Sequence, residues 1–91
     1  MSGHAEATVE IVNKRGLHAR AAAKVFETAM PFRSQIKVAK DGRAVPVEIL
    51  ALLMLGAGIG TKVTITAEGD DAEEAVSALK SLIEDRFHED E

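Results

Sequence analysis

Three stretches of this chain alternate apolar and polar side chains with a period of two, and that repeated alternation constrains the fold more than any other feature. In residues 7–12, Ala7, Val9 and Ile11 fall on one face and Thr8 and Glu10 on the other. Residues 34–38 set Ile36 and Val38 inward, and residues 62–67 do the same with Val63, Ile65 and Ala67. Such a pattern belongs to strands with one wet face. Asp41-Gly42 is a hairpin signal that leads from the second stretch into a short strand at residues 43–47. Pro46 cannot donate to a ladder, so this strand is expected to be brief or to lie at an edge. Four strands with one polar face describe an antiparallel sheet covered on one side only.

The cover must come from helices. Between the first two strands, Ala22, Val25, Phe26 and Ala29 recur at helical spacing and predict one buried stripe, with Arg20, Lys24, Glu27 and Thr28 facing away and Pro31 ending the element. The last helix has Ala72, Ala75, Val76, Leu79, Leu82 and Ile83 as its stripe. Asp70 or Asp71 is placed to cap it, with Glu73 or Glu74 three residues later, and residues 86–91 are expected to fray. The middle segment, residues 48–55, carries a single polar residue, Glu48. If Ala51, Leu52 and Leu55 face the sheet, then Ile49, Leu50, Leu53 and Met54 look partly outward. Four exposed aliphatic side chains together make a partner-binding patch. A fully buried segment is the alternative, but a chain of 91 residues with its other strands already assigned leaves little protein to bury it. The expected fold is α+β in the order βαββαβα, a four-stranded antiparallel sheet with three helices on one face.

That length predicts one domain with a short N-terminal tail and an acidic C-terminal tail. The absence of cysteine excludes disulfides and thiolate metal sites. The opening Met-Ser-Gly-His-Ala-Glu has no basic region followed by an apolar stretch, and residues 49–55 are too short a run to span a bilayer. A cytoplasmic protein without direct membrane insertion is expected. A net charge of −4 argues against nucleic acid as a partner. His4, His18 and His88 share no ligand spacing, and His4 and His88 are expected in solvated tails, so no metal and no cofactor are expected. The acid gathers at Asp70, Asp71, Glu73, Glu74 and residues 84–91, whereas Lys14, Arg15, Arg20 and Lys24 bracket His18. A basic zone there suits an acidic protein partner or a transferred phosphate.

His18 stands where a strand-like segment ends and an Ala-rich helix begins, in the run Gly16-Leu17-His18-Ala19-Arg20-Ala21-Ala22-Ala23-Lys24. A helix start offers backbone N–H groups without intrahelical partners and the positive end of a macrodipole, which together hold anions. An imidazole placed there can take a phosphoryl group on a ring nitrogen, whose oxygens meet the N–H groups beginning at Ala19 and the guanidinium of Arg20. Lys24 shares that face of the helix. The His18 side chain is expected to be exposed.

The run Gly16-Leu17-His18-Ala19-Arg20 resembles the active-site signature of the HPr family, histidine phosphocarriers of the bacterial phosphoenolpyruvate-dependent phosphotransferase system. The likeness extends over about residues 6–87, through Val63-Thr64-Ile65-Thr66-Ala67-Glu68-Gly69 and the last helix. Residues 18–24, Leu52-Leu53-Met54-Leu55 and the acidic end around Phe87 look more like the NPr branch of that family, which serves nitrogen-related regulation. The resemblance implies an open-faced β-sandwich, His18 phosphorylated by an enzyme-I-type protein that draws on phosphoenolpyruvate, and discharge to a IIA-type protein. The chain departs from the family at two places. Ala21 stands where proline is usual, which keeps the helix and supplies one more N–H. Glu48 aligns with a serine that a dedicated kinase phosphorylates in many members, and a carboxylate cannot serve that kinase. Glu48 is otherwise a favourable acid in the first turn of the middle helix.

Two functions follow from these residues. One is a phosphocarrier, a monomer and not an enzyme, since the group it accepts sits on its own side chain and is passed on. The other is a regulatory binding module that keeps the fold and acts by contact alone. Phosphate on His18 separates them.

Overall fold

The alternating stretches pair into one antiparallel sheet of order β1-β4-β2-β3, built from β1 (Gly3–Glu10), β2 (Gln35–Lys40), β3 (Arg43–Pro46) and β4 (Lys62–Gly69). The computed structural model describes residues 3–89, so the two residues at each end of the expected tails lie outside it. The register stacks the apolar positions: Val9 lies opposite Val63, Ile36 opposite Ala67, and Val38 between Ile65 and Val45. On the other face Thr8 and Thr64 share a hydroxyl hydrogen bond of 3.1 Å. The turn between β2 and β3 has positive φ at both Asp41 and Gly42, the twist-matched hairpin geometry that this dipeptide favours. β3 is an edge strand and ends on Pro46, where the missing N–H costs no interior ladder bond.

Three helices cover one face: α1 (Ala19–Ala29), α2 (Ile49–Met54) and α3 (Ala72–Glu84). Ala21, Ala22 and Val25 of α1, Leu52 of α2, and Leu79, Leu82 and Ile83 of α3 close over Ile11, Val38, Val63 and Ile65. On α2, Leu52 is fully buried and Leu55 just beyond it is buried too, while Leu50 is 70% and Met54 61% exposed.

Several local expectations are corrected. β1 begins at Gly3 and ends at Glu10, so His4 is a strand residue rather than part of a tail, although it is exposed. Phe26 is not in the buried stripe of α1 and is instead exposed; Ala21 joins Ala22, Val25 and Ala29 there, because the buried face of the helix is turned toward the Ala21 side and away from Phe26. Glu48 is the residue before α2 with extended backbone, not part of its first turn, and its side chain makes no cap bond. The chain after α3 does not fray over its described length. Arg86–His88 form a tight turn in which all three residues have positive φ, and Phe87 is fully buried. His88 rides on this turn rather than in a tail, with its ring bonded to Asp85.

Asp71 precedes α3 but does not cap it with its side chain. Its carboxylate crosses to the start of β2, accepting from the Arg33 amide at 2.8 Å and from the amide and hydroxyl of Ser34. The Ser34 hydroxyl first, and then the Arg33 amide, hold the Asp71 carboxyl below its ordinary value. A group whose folded pKa is depressed contributes stability in full above its unfolded value, about 3.9 for aspartate, and loses it as pH falls through the folded one. Asp71→Asn is therefore expected to destabilise the fold at neutral pH. The gap from the parent should narrow on acidification below about pH 4, read by urea unfolding at a series of pH values. A gap that stays constant with pH would rule out the carboxylate as its source.

Candidate functional site

The loop joining β1 to α1 is fixed before it delivers its histidine. Gly16 has φ of +66°, and a Cβ there would lie 2.7 Å from the Ala57 carbonyl oxygen and 2.8 Å from the Gly58 Cα. Both obstacles are backbone, so only glycine lets the two loops touch. The Leu17 amide donates to that same Ala57 carbonyl at 2.9 Å, and the Leu17 side chain is buried. One residue on, His18 has extended backbone and occupies the N-cap of α1, its carbonyl accepting from Ala22 at 2.8 Å.

The imidazole is held from both sides. Nδ1 accepts from the Arg20 backbone N–H at 3.3 Å, and Nε2 meets the carboxylate of Glu89 in a short contact. The other carboxylate oxygen accepts from Asn13 Nδ2 at 3.0 Å, and the same Nδ2 donates to the Gly16 carbonyl at 2.9 Å. Because both partners of Nδ2 are acceptors, the orientation of the Asn13 amide is fixed. Its Oδ1 is buried without a partner among the described residues. Burial alone would raise the Glu89 carboxyl. The hydrogen bonds from His18 and Asn13, with the charge of Arg15 adding to them, outweigh that and hold it below the ordinary glutamate value. Glu89 is therefore an ionised acceptor, and Nε2 is the ring nitrogen that carries the proton. Nδ1 keeps its lone pair and faces the first amides of α1.

The His18 side chain is thus not exposed as expected: only 15% of it is accessible, and Glu89 lies against its Nε2 edge. Arg20 is exposed beside the ring at the second position of α1, and Ala19 opens the helix. Lys24 corrects another expectation. It is half-buried, and its ammonium donates to the Phe87 carbonyl instead of facing away. Glu89, Asn13 and Phe87 are residues that sequence reasoning missed; a lone phenylalanine in an acidic run was the available signal. Ile49, Leu50, Leu53 and Met54 lie exposed on α2, which packs against α1. No helix among the described residues is long and apolar enough to cross a membrane.

With this geometry in hand, similarity to known proteins is informative. The family model described as "PTS HPr component phosphorylation site" matches residues 5–85. The chain is 49% identical over 82 residues to a phosphocarrier protein HPr of Cupriavidus necator, covering 89% of this chain and 92% of that protein. It is 39% identical over 85 residues to the phosphocarrier protein NPr of Escherichia coli, covering 91% and 94%. A crystal structure of HPr from Thermoanaerobacter tengcongensis superposes with a TM-score of 0.91 at 49% identity, covering 96% of this chain and 99% of that one.

Proposed function

The chain belongs to the HPr family of phosphotransferase-system phosphocarriers, and from that premise we propose that His18 Nδ1 is the atom that carries the phosphoryl group. An enzyme-I-type protein charged by phosphoenolpyruvate donates it, and a IIA-type protein of the sugar or nitrogen-regulatory branch takes it away. The carrier is one domain acting in the cytoplasm as a monomer. It is a substrate and donor rather than a catalyst with turnover. The observation that carries the reading is the position of the imidazole at the N-cap of α1, with its unprotonated nitrogen toward the helix amides.

As Nδ1 attacks, the Nδ1–P bond forms and the bond from phosphorus to the donor protein breaks, its electron pair staying on the donor. The phosphoryl oxygens take over the Arg20 N–H and the N–H groups beginning at Ala19, where the helix dipole favours negative charge. The Arg20 guanidinium swings from solvent onto the same oxygens. Partners dock on Ile49, Leu50, Leu53 and Met54. Lys24 adds charge to the rim while its ammonium holds the Phe87 carbonyl.

Incubation with enzyme I and phosphoenolpyruvate should label the chain, and a IIA-type protein should then strip the label. No labelling would leave the contact-only module. Arg20→Ala should leave the melting temperature nearly unchanged, because the side chain is exposed, and should slow labelling about tenfold, the worth of one charge-assisted contact of about 1.5 kcal/mol. Equal rates for variant and parent would reduce Arg20 to a surface residue.

A further inference from the structure

The contact between His18 and Glu89 joins residues 71 apart in the chain, and it exists only because the end of the chain is folded back over the site. Arg86, Phe87 and His88 have φ of 55°, 54° and 64°. Left-handed backbone costs a side-chain-bearing residue about 1 kcal/mol or more each, so this turn needs an external reason to persist. Two are present. The Phe87 ring is fully buried in the core, and the Phe87 carbonyl accepts from the Lys24 ammonium on α1. The turn therefore acts as an anchored strap that ends by setting the Glu89 carboxylate on the imidazole, with Asn13 steering its second oxygen.

We propose that Glu89 is a positioning residue for phosphoryl transfer. By accepting a hydrogen bond from Nε2–H it selects the tautomer in which Nδ1 holds the lone pair, and by staying bonded it stabilises the charge that develops on the ring. This rests on the reading of His18 as the phosphoryl acceptor. Two contacts of unequal strength agree on the tautomer: the short one is to an ionised carboxylate, which can only accept from Nε2–H, and the weaker one, at 3.3 Å, comes from the Arg20 N–H, which needs an unprotonated Nδ1. When Nδ1 bonds to phosphorus, Nε2 keeps its proton and the ring becomes cationic. The carboxylate lies at Nε2, on the opposite edge of the ring from the incoming phosphate, so it meets the positive charge without opposing the anion. Buried carboxylates orient histidines in hydrolytic sites by the same physics. Glu89 is 16% accessible and is not among the core side chains, so it can be replaced without removing a core contact.

The test compares Glu89→Gln, Glu89→Ala and Glu89→Asp with the parent chain by two readouts. The first is the tautomer of His18 from side-chain ¹⁵N shifts, taken about two pH units above the ordinary imidazole pKa of about 6.5. It needs no phosphorylation. The second is the rate of labelling by enzyme I and phosphoenolpyruvate. The parent should show the Nε2–H form alone. Glu89→Ala should give a mixture, and Glu89→Gln should shift further toward Nδ1–H, because its amide can donate to Nε2. Labelling should slow roughly tenfold in both, the low end for loss of a group that orients a histidine, and Glu89→Asp should recover part of each signal. An unchanged tautomer in Glu89→Ala would overturn the proposal, as would labelling as fast as the parent's or faster, the latter making Glu89 a lid. A parent that shows the single tautomer but takes no label would instead defeat the carrier reading.

Discussion

His18→Ala should abolish labelling by enzyme I and phosphoenolpyruvate while leaving a folded protein. The loss should be complete, because no other side chain supplies a nucleophilic nitrogen at the start of α1. The structural cost is bounded by what the ring does. It accepts one backbone N–H as the N-cap of α1 and meets one carboxylate near the chain end. Loss of a side-chain cap costs about 1 kcal/mol. For a domain of this size that lowers the melting temperature by roughly 4–8 °C, short of unfolding at room temperature. Glu89 can turn to water in the variant, so no unpaired buried charge is left behind. Phosphorus NMR of the parent should show an acid-labile phosphoramidate, and an acid-stable ester would contradict the chemistry. Labelling that survives in a folded His18→Ala variant would move the acceptor elsewhere and undo the central proposal.

The parts of this site that were legible in the sequence are those governed by near neighbours in the chain. Period-2 alternation gave Val9, Val38, Val63 and Ile65 their inward faces because a strand turns each side chain over from its predecessor, whatever surrounds it. The inward placing of Leu52 and Leu55 followed from helical spacing, and the position of His18 at a helix start from the apolar run behind it. What escaped notice is long-range. Asp71 obeys no local capping rule because Ser34 and Arg33, brought close by the sheet, offer it three donors. Phe26 falls outside the buried stripe and Ala21 inside it because α1 packs with its face turned toward the Ala21 side, a rotation set by its neighbours in space rather than by α1 itself. The Asn13–Glu89 contact spans 76 positions and depends on a left-handed turn that contains no glycine, so turn chemistry gave no hint of it. Only Phe87, an apolar ring among acids, carried information that the chain end returns to the core.

The second large effect separates two faces of one short helix. Leu52 is fully buried, whereas Leu50 is 70% exposed and Leu53 36% exposed. Leu52→Ala removes a side chain enclosed between the helices and the sheet, and such truncations cost about 2–5 kcal/mol, a large share of the roughly 5–15 kcal/mol that holds a small domain together. Its signature should be a falling midpoint in urea, with partner affinity unchanged in the fraction that stays folded. Leu50→Gln should do the reverse. A residue already mostly in water loses little stability, but removing an anchor from the centre of a docking patch costs about 1–2 kcal/mol of binding, or about 5–30-fold in Kd. That loss should fall on the enzyme-I-type donor and the IIA-type acceptor alike, because both must reach the same nitrogen beside the same helix. Leu53→Gln, closer to the boundary, should show a smaller binding loss with a measurable stability cost. If Leu50→Gln weakens the donor and spares the acceptor, the two partners use different surfaces. If it weakens neither, the exposed face of α2 has no part in docking.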